Sequence, residues 1–530
     1  MTRASARARV MAWCTAVSLL AAGCGAAQQA GAAGGDTFSF AIKGDPGLLD
    51  PAQVRNTNTY TALSLAYDTL IHITQDGKVV SGLARKWQVR PSSVTFTLRR
   101  DVTCADGSRV TPGTIAENVR HLTDPATKSP TLGVTVPEGL TAKADTPTNR
   151  VTLSTPKPFG FILESTRFLF MVCGKGLKDR SVLAHATSGS GPFELSSAKP
   201  NQRYTFIRRK HYAWGPKGAG NNDPRMPGKF DLKVVPSEQT AANMMISNQL
   251  NGVMLNGPDR SRMQKIPGVT TTEQSIGPSE FFFHQGQEHP GQDPALRRAL
   301  LQAVDLRQLG AIASSGTGRK ATGLVQSPRP CPGDTVSGNL PTFHHATAEK
   351  ALDDAGWRRS GSGVRTKDGK RLNIRMVYGA SSGEAATAAA EYLAKAWQDV
   401  GVQVQLRGVV DAAYADVESV TQDWDVIWEP LGVTLPTQLL GMLSGPFTPD
   451  GSNFAHLTNK RYEQLTAQAG RRPGAAGCTR WRGSERALLR SGDVVPVVDR
   501  TATIAARNST FQMTSGMFEP TSIRMTGGRR

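Results

Sequence analysis

Residues 371–429 read RLNIRMVYGASSGEAATAAAEYLAKAWQDVGVQVQLRGVVDAAYADVESVTQDWDVIWE, and their pattern decides the fold class. Leu372, Ile374, Met376 and Tyr378 alternate with polar residues, the period of a strand. EAATAAAEYLAKAWQDV then has the composition and spacing of a helix, stopped by Gly401, with Ser381 and Glu384 placed as a capping box. VQVQLRGV is a second strand and DWDVIWE a third. Strand, helix and strand in this order imply a right-handed crossover in a mostly parallel sheet, so the chain is an α/β protein.

The same signals recur outward from this stretch. Asp293-Pro294 opens a helix over PALRRALLQAVDLRQL. TFSFAIK (37–43), VTFTLRRDV (94–102) and DLKVVP (231–236) read as strands. A helical stretch from Thr240 leads into the short apolar strand GVMLN at 252–256. Internal repeats are absent from the 530 residues, a length that allows about three ordinary domains.

The amino terminus gives the compartment. MTRASARAR is basic, Val10 to Ala22 is a short apolar run, and together they read as a secretory signal over residues 1–23. The run is shorter than the about 20 apolar residues of a membrane span. Leu20-Ala21-Ala22-Gly23-Cys24 resembles a bacterial lipobox, in which the cysteine receives lipid. Cys24 is therefore the expected lipidation site and residues 24–36 a flexible tether rich in Ala, Gly and Gln. That places the protein on the extracytoplasmic face of the cell membrane. The remaining Cys104, Cys173, Cys331 and Cys478 suit disulfides in an exported chain, and four cysteines allow three connectivities. The net charge of +19 is spread along the chain, with no basic run or module that points to nucleic acid.

Signatures of catalysis are missing. His-Glu-x-x-His does not occur, and no paired Cys/His spacing suggests a metal. SSGTGRKATG (314–323) lacks the spacing of a phosphate loop, and SGSGPF (188–193) is no nucleophile elbow. His344-His345 reads as part of a polar surface loop. The expectation is a protein that binds rather than converts, with no cofactor and no metal.

Seven segments in order resemble the family 5 extracellular solute-binding proteins, the dipeptide, oligopeptide and nickel-binding group of bacterial ABC importers. They are LLDPA (48–52), YDTLIHITQDGKVVSGLARKWQV (67–89), FTLRRDVTCADGSRVTPGTIAENVRHLTDP (96–125), GSGPF (189–193) with YAWGP (212–216), DPALRRALLQAVD (293–305) and AEKALDDAGW (348–357). The resemblance implies a two-lobed periplasmic-binding-protein-like fold (type II, cluster C) with an extra domain beside the first lobe. Lobe I would comprise 37–60, 186–275 and 490–530, the extra domain 61–185, and lobe II 276–489. Pairing Cys104 with Cys173 and Cys331 with Cys478 would then close each bridge within one domain. The resemblance also implies a monomer whose partners are a small solute, peptide or peptide-like, and the permease subunits of an ABC importer.

In peptide-binding members a strand like WDVIW leads into Trp-x-x-Asp-Tyr-x-Asp-Pro, whose first Asp pairs with the peptide ammonium. Here the segment reads WEPLGVTLP, so both acids are gone and Glu429 is the acid that follows the strand. The candidate cleft residues are Asn58, Tyr60, His284, Gln285, Trp428, Glu429, Asn453 and Phe454. A receptor for a non-peptide solute (a metal chelate, sugar or secondary metabolite) and a surface sensing lipoprotein are the alternative readings.

Overall fold

Residues 269–283 and 494–507 are rich in Val, Thr, Ile and Phe, which favour a pleated, half-buried surface. In the computed structural model, which describes residues 36–361 and 363–527, they form the two longest strands, Val269–Phe283 and Val494–Arg507. The expected signal, Cys24 and all of the tether but Asp36 lie outside the described residues. The two long strands pair antiparallel from Val269↔Arg507 to Phe282↔Val494, with register shifts between Ser275 and Gly277 and between Ser279 and Glu280. Gly277 has φ 96°, a conformation that L side chains rarely adopt.

This pair runs through an eleven-stranded sheet. On one side follow Gly252–Leu255, Thr37–Ile42, Lys229–Val234, Arg203–Arg208 and Phe193–Lys199. On the other follow Val426–Trp428, Asn373–Gly379 and Gln403–Val409, and the eleventh, Arg319–Lys320, pairs off this path with Asp499 and Val498. Pairing is parallel between Thr37–Ile42 and its two neighbours, and between Asn373–Gly379 and its two neighbours. The other pairings in the sheet are antiparallel, so it is mixed rather than mostly parallel. The reason is topological: each lobe has its own parallel unit, and the long antiparallel pair joins them. The result is a two-lobed α/β periplasmic-binding-protein fold.

Each part has its own core. Phe38, Phe40, Phe230 and Phe518 pack on the first side, and Phe281, Trp397, Met376 and Leu393 on the second. Helix Glu384–Asp399 buries Ala389, Ala390, Leu393, Ala394 and Trp397, one stripe at helical spacing. Its start differs from the expected capping box. Residues 380–382 form a 3-10 turn, Gly383 takes the N-cap position with φ 93°, and no side chain caps the helix. His344 likewise is the N-cap of helix His345–Asp354, its Nδ1 accepting from Thr347 N at 3.2 Å, where a loop was expected.

A separate four-stranded antiparallel sheet, Ala84–Arg90, Ser93–Leu98, Arg150–Ser154 and Thr141–Asp145, packs with helix Pro112–Thr123 around Phe96, Ile115, Val151 and Leu153. Cys104 is bonded to Cys173 in that core, and Cys331 to Cys478, the pairings that the resemblance implied.

Three of the sequence motifs meet at one carboxylate. Asp68, 3% exposed, accepts from Tyr212 Oη at 2.8 Å, Trp214 Nε1 at 2.9 Å and Ser190 Oγ at 2.8 Å. A buried charge is tolerable only when hydrogen bonds satisfy it, which explains why YDTL, GSGPF and YAWGP occur together.

Candidate functional site

In an open α/β sheet a ligand site lies beyond the carboxyl ends of the parallel strands. Here Asn373–Gly379, Gln403–Val409 and Val426–Trp428 end in the segments 380–383, 410–422 and 429–438. The last of these lies against the long strand pair. Gln326 N donates to Val433 O at 2.8 Å, Gln326 Nε2 donates to Ser275 O at 2.6 Å, and Gly432 Cα stands close to Gly277.

The two sides of the molecule meet along an apolar seam of Phe161, Phe168, Leu435, Trp481 and the Cys331–Cys478 bridge, with Tyr60, Leu440 and Met517 at its margin. Gly474 N donates to Gly160 O at 2.7 Å across it. Trp481 Nε1, and Thr437 Oγ1 on the turn after Leu435, are buried without a hydrogen-bond partner among the described residues.

Acids gather on the second-lobe side. Glu429, Glu418, Leu431, Met442 and Phe454 line a pocket of about 440 Å3. Burial, reinforced by Glu418, pushes the Glu429 carboxyl up to about 8. Burial alone pushes Glu418 up to about 7. Glu280 is fully buried at the second bulge, accepts from Leu431 N at 3.3 Å, and its Oε1 has no partner among the described residues. Its carboxyl is raised by burial, while the Arg500 guanidinium opposes that shift.

The first-lobe side of the seam is aromatic and cationic. Tyr60, from helix Thr57–Ala66, lies with its ring centroid 5.6 Å from Phe168 and 6.2 Å from Phe170, and its hydroxyl is 3.3 Å from Thr135 Oγ1. Arg167 directly precedes Phe168 in sequence and is 7% exposed.

The eight candidate residues divide by environment. Asn58 is half-buried in the first turn of the same helix as Tyr60. Glu429 and Phe454 share the acidic pocket. Trp428 is packed in the second lobe, its Nε1 donating to Ser279 Oγ at 2.6 Å. His284 is 1% exposed, stacked on His289 at 3.7 Å and close to His456 and Trp424. Burial pushes its imidazole down to about 3. Gln285 donates to Asp493 Oδ1 at 2.9 Å, which also pairs with Arg297. Asn453 is fully buried and bonds Leu457 N, Leu457 O and Gly445 O, an arrangement that shapes its own loop. Sequence reasoning missed Arg167, Glu280, Glu418 and Trp481. Arg167 had a signal: it is a lone base inside the mostly apolar run FILESTRFLFMV.

No group of three or more potential metal ligands is assembled among the described residues. No helix among them is long and apolar enough to cross a membrane.

These features, two lobes joined by a long strand pair with a lined seam between them, define a binding protein of the periplasmic type. Residues 78–450 match the bacterial extracellular solute-binding proteins, family 5, and the chain belongs to that family. It is 23% identical over 493 residues to the periplasmic murein peptide-binding protein MppA of Escherichia coli, covering 87% of each chain. It is 26% identical over 398 residues to the nickel-binding periplasmic protein of the same organism, covering 71% of this chain and 72% of that one. Among solved structures, the fold matches a substrate-binding protein from Microbacterium hydrocarbonoxydans complexed with 4-hydroxybenzoate hydrazide, with TM-score 0.73, 22% identity, and coverage of 93% of this chain and 100% of that one. It also matches the ABC transporter substrate-binding protein CtaP of Listeria monocytogenes, with TM-score 0.77, 17% identity, and the same coverage.

Proposed function

We propose that this chain is the extracytoplasmic receptor of an ABC importer, moored by lipid on Cys24, which closes its lobes on a peptide or peptide-like solute and hands it to the permease. The observation that carries this reading is the bulged antiparallel pair Val269–Phe283 and Val494–Arg507, which joins the two lobes beside a lined seam. Such a pair can bend at its bulges while the lobes move as bodies. A solute that touches both lobes favours the closed form by its extra contacts there. No bond is made or broken in this cycle, and the relatives compared above are named as binding proteins.

A non-peptide solute is the second reading, and the segment after Val426–Trp428 favours it. Both acids expected there to anchor a peptide ammonium are gone, with Val433 and Thr434 in that stretch, and burial holds Glu429 toward its neutral form at pH 7.

Native mass spectrometry of the exported protein tests the receptor reading. A retained small molecule that is released unchanged on unfolding supports it. A chain that retains no solute, or that converts the solute it holds, contradicts it.

A further inference from the structure

Three imidazoles pack together just beyond the end of strand Val269–Phe283. The His284 ring lies 3.7 Å from that of His289, 4.6 Å from that of His456 and 4.7 Å from that of Trp424. Phe447 stacks on His456 at 4.4 Å. The stack pins the loop 445–457 to the strand end, to the turn before helix Pro294–Gln302, and to the entry of Val426–Trp428. Backbone bonds follow the same lines: Gln285 N donates to Ala455 O and His284 N to Asp425 O, each at 2.9 Å. There is little slack, because a methyl group on Gly286 would meet His284 Cε1 at 2.8 Å and His456 Nδ1 at 3.2 Å.

This packing suits neutral rings only. His284 Nδ1 accepts from Gly286 N at 3.1 Å, so its hydrogen is on Nε2, which is buried without a partner among the described residues. A second proton on the ring would go to Nδ1 and set two donors face to face. His456 Nε2 is buried without a partner in the same way. The carboxylate at the stack, Asp425, meets His289 Nδ1 at 2.8 Å and accepts from Arg375 N, Nε and Nη2 at 2.8–2.9 Å. Asp423 pairs with Arg375 and Arg407, so two acids already face two arginines. An added proton on an imidazole therefore finds no free carboxylate, and a buried charge without a partner is costly. Burial and the neighbouring imidazoles hold His284 down to about 3, and burial with His289 holds His456 below the ordinary imidazole value.

The loop also reaches the acidic pocket. Thr448, Ser452 and Phe454 line it together with Glu418 and Glu429. We propose that the His284–His289–His456 stack is an acid-sensitive latch: neutral rings hold the loop 445–457 and keep the pocket shaped, and protonation frees the loop and empties the pocket. The latch stands on the stack itself; its effect on a captured solute rests on the receptor reading above.

A histidine held below its unfolded value contributes stability that is complete above about pH 6.5 and is lost as pH falls toward the folded value. Glu418 and Glu429, raised by burial, act in the opposite sense. Comparing the wild type with a histidine variant cancels their contribution.

Hydrogen–deuterium exchange of the whole exported chain at pH 7.5 and pH 5.0, corrected for intrinsic rates, tests the latch. His284→Gln keeps an acceptor for Gly286 N and does not titrate. An imidazole that protonates only when the loop is open favours opening by about 30-fold more at pH 5.0 than at pH 7.5. The ratio of wild-type to variant protection across 445–457 should fall by about that factor between the two pH values. His456→Asn should show a fall in the same sense, and asparagine tolerates the φ of 55° found at His456. It decides the question if His284→Gln does not fold. A ratio that does not change with pH, or a fall spread evenly over the chain as in global acid unfolding, overturns the latch. Native mass spectrometry at the two pH values separates the levels. A solute held at pH 7.5 and lost at pH 5.0 supports emptying of the pocket. A solute held equally at both, with the loop released, overturns that step and leaves the receptor reading standing.

Discussion

The rings of Phe161 and Trp481 lie with centroids 5.8 Å apart and planes inclined by 37°, joining the segment after the four-stranded sheet to helix Cys478–Ser491. Both are 2% exposed or less, so each shields the other from water. Replacing a buried aromatic by alanine costs about 3–5 kcal/mol. Because this contact spans the seam, Trp481→Ala should lower the melting temperature and also enlarge the radius of gyration in small-angle scattering. A variant that melts earlier but scatters as the wild type would make Trp481 a local core residue only.

Asp68 joins the motifs that define the family. Asp68→Asn turns amide hydrogens toward groups that themselves donate, Tyr212 Oη, Trp214 Nε1 and Ser190 Oγ. Leaving buried donors unmet costs about 1–3 kcal/mol each. Urea unfolding should show a loss of at least that size, and an unchanged midpoint would mean that the three donors find other acceptors.

Stability should fall as pH rises. Glu429 is pushed up to about 8 and Glu418 up to about 7 by burial, whereas an unfolded glutamate titrates near about 4.3. The unfolded chain therefore loses these protons first. The stabilising contribution is complete below the unfolded value and is lost as pH climbs through the folded ones. Glu429→Gln stays neutral and should gain on the wild type by on the order of 2 kcal/mol between pH 5 and pH 9. Melting curves for the two proteins that stay parallel across that range would contradict this assignment.

The Cys331–Cys478 bridge spans a sequence separation of 147 and lies in the seam. A chain-entropy estimate assigns about 5 kcal/mol to a loop of that length. The double change Cys331→Ser with Cys478→Ser should shift the urea midpoint accordingly. Free thiols on all four cysteines of the folded, exported protein would refute both bridges.

Much of the fold was legible because it rests on local rules. Alternation in TFSFAIK, RLNIRMVYG and VQVQLRGV marked strands that the structure contains, and Asp293-Pro294 does start a helix, with the Asp293 carboxylate accepting from Ala295 N. The long antiparallel pair escaped notice because its partners are separated by more than 200 residues, so the sheet read as mostly parallel. The site was harder for a related reason. Trp428 and Asn453 have the residue types of ligand contacts, yet one donates to Ser279 and the other organises its own loop. Among the described residues Arg167 is buried without a partner acid, and such an absence is visible only once the chain is folded.

Lobe closure can be read directly by small-angle scattering from one preparation in two states: stripped of solute by unfolding and refolding, then resaturated with the solute fraction it released. Bending at the bulges of Val269–Phe283 and Val494–Arg507 predicts a smaller radius of gyration and a shorter maximum dimension in the resaturated sample. Superimposable curves, with solute shown to be bound, would contradict capture by closure of the two lobes.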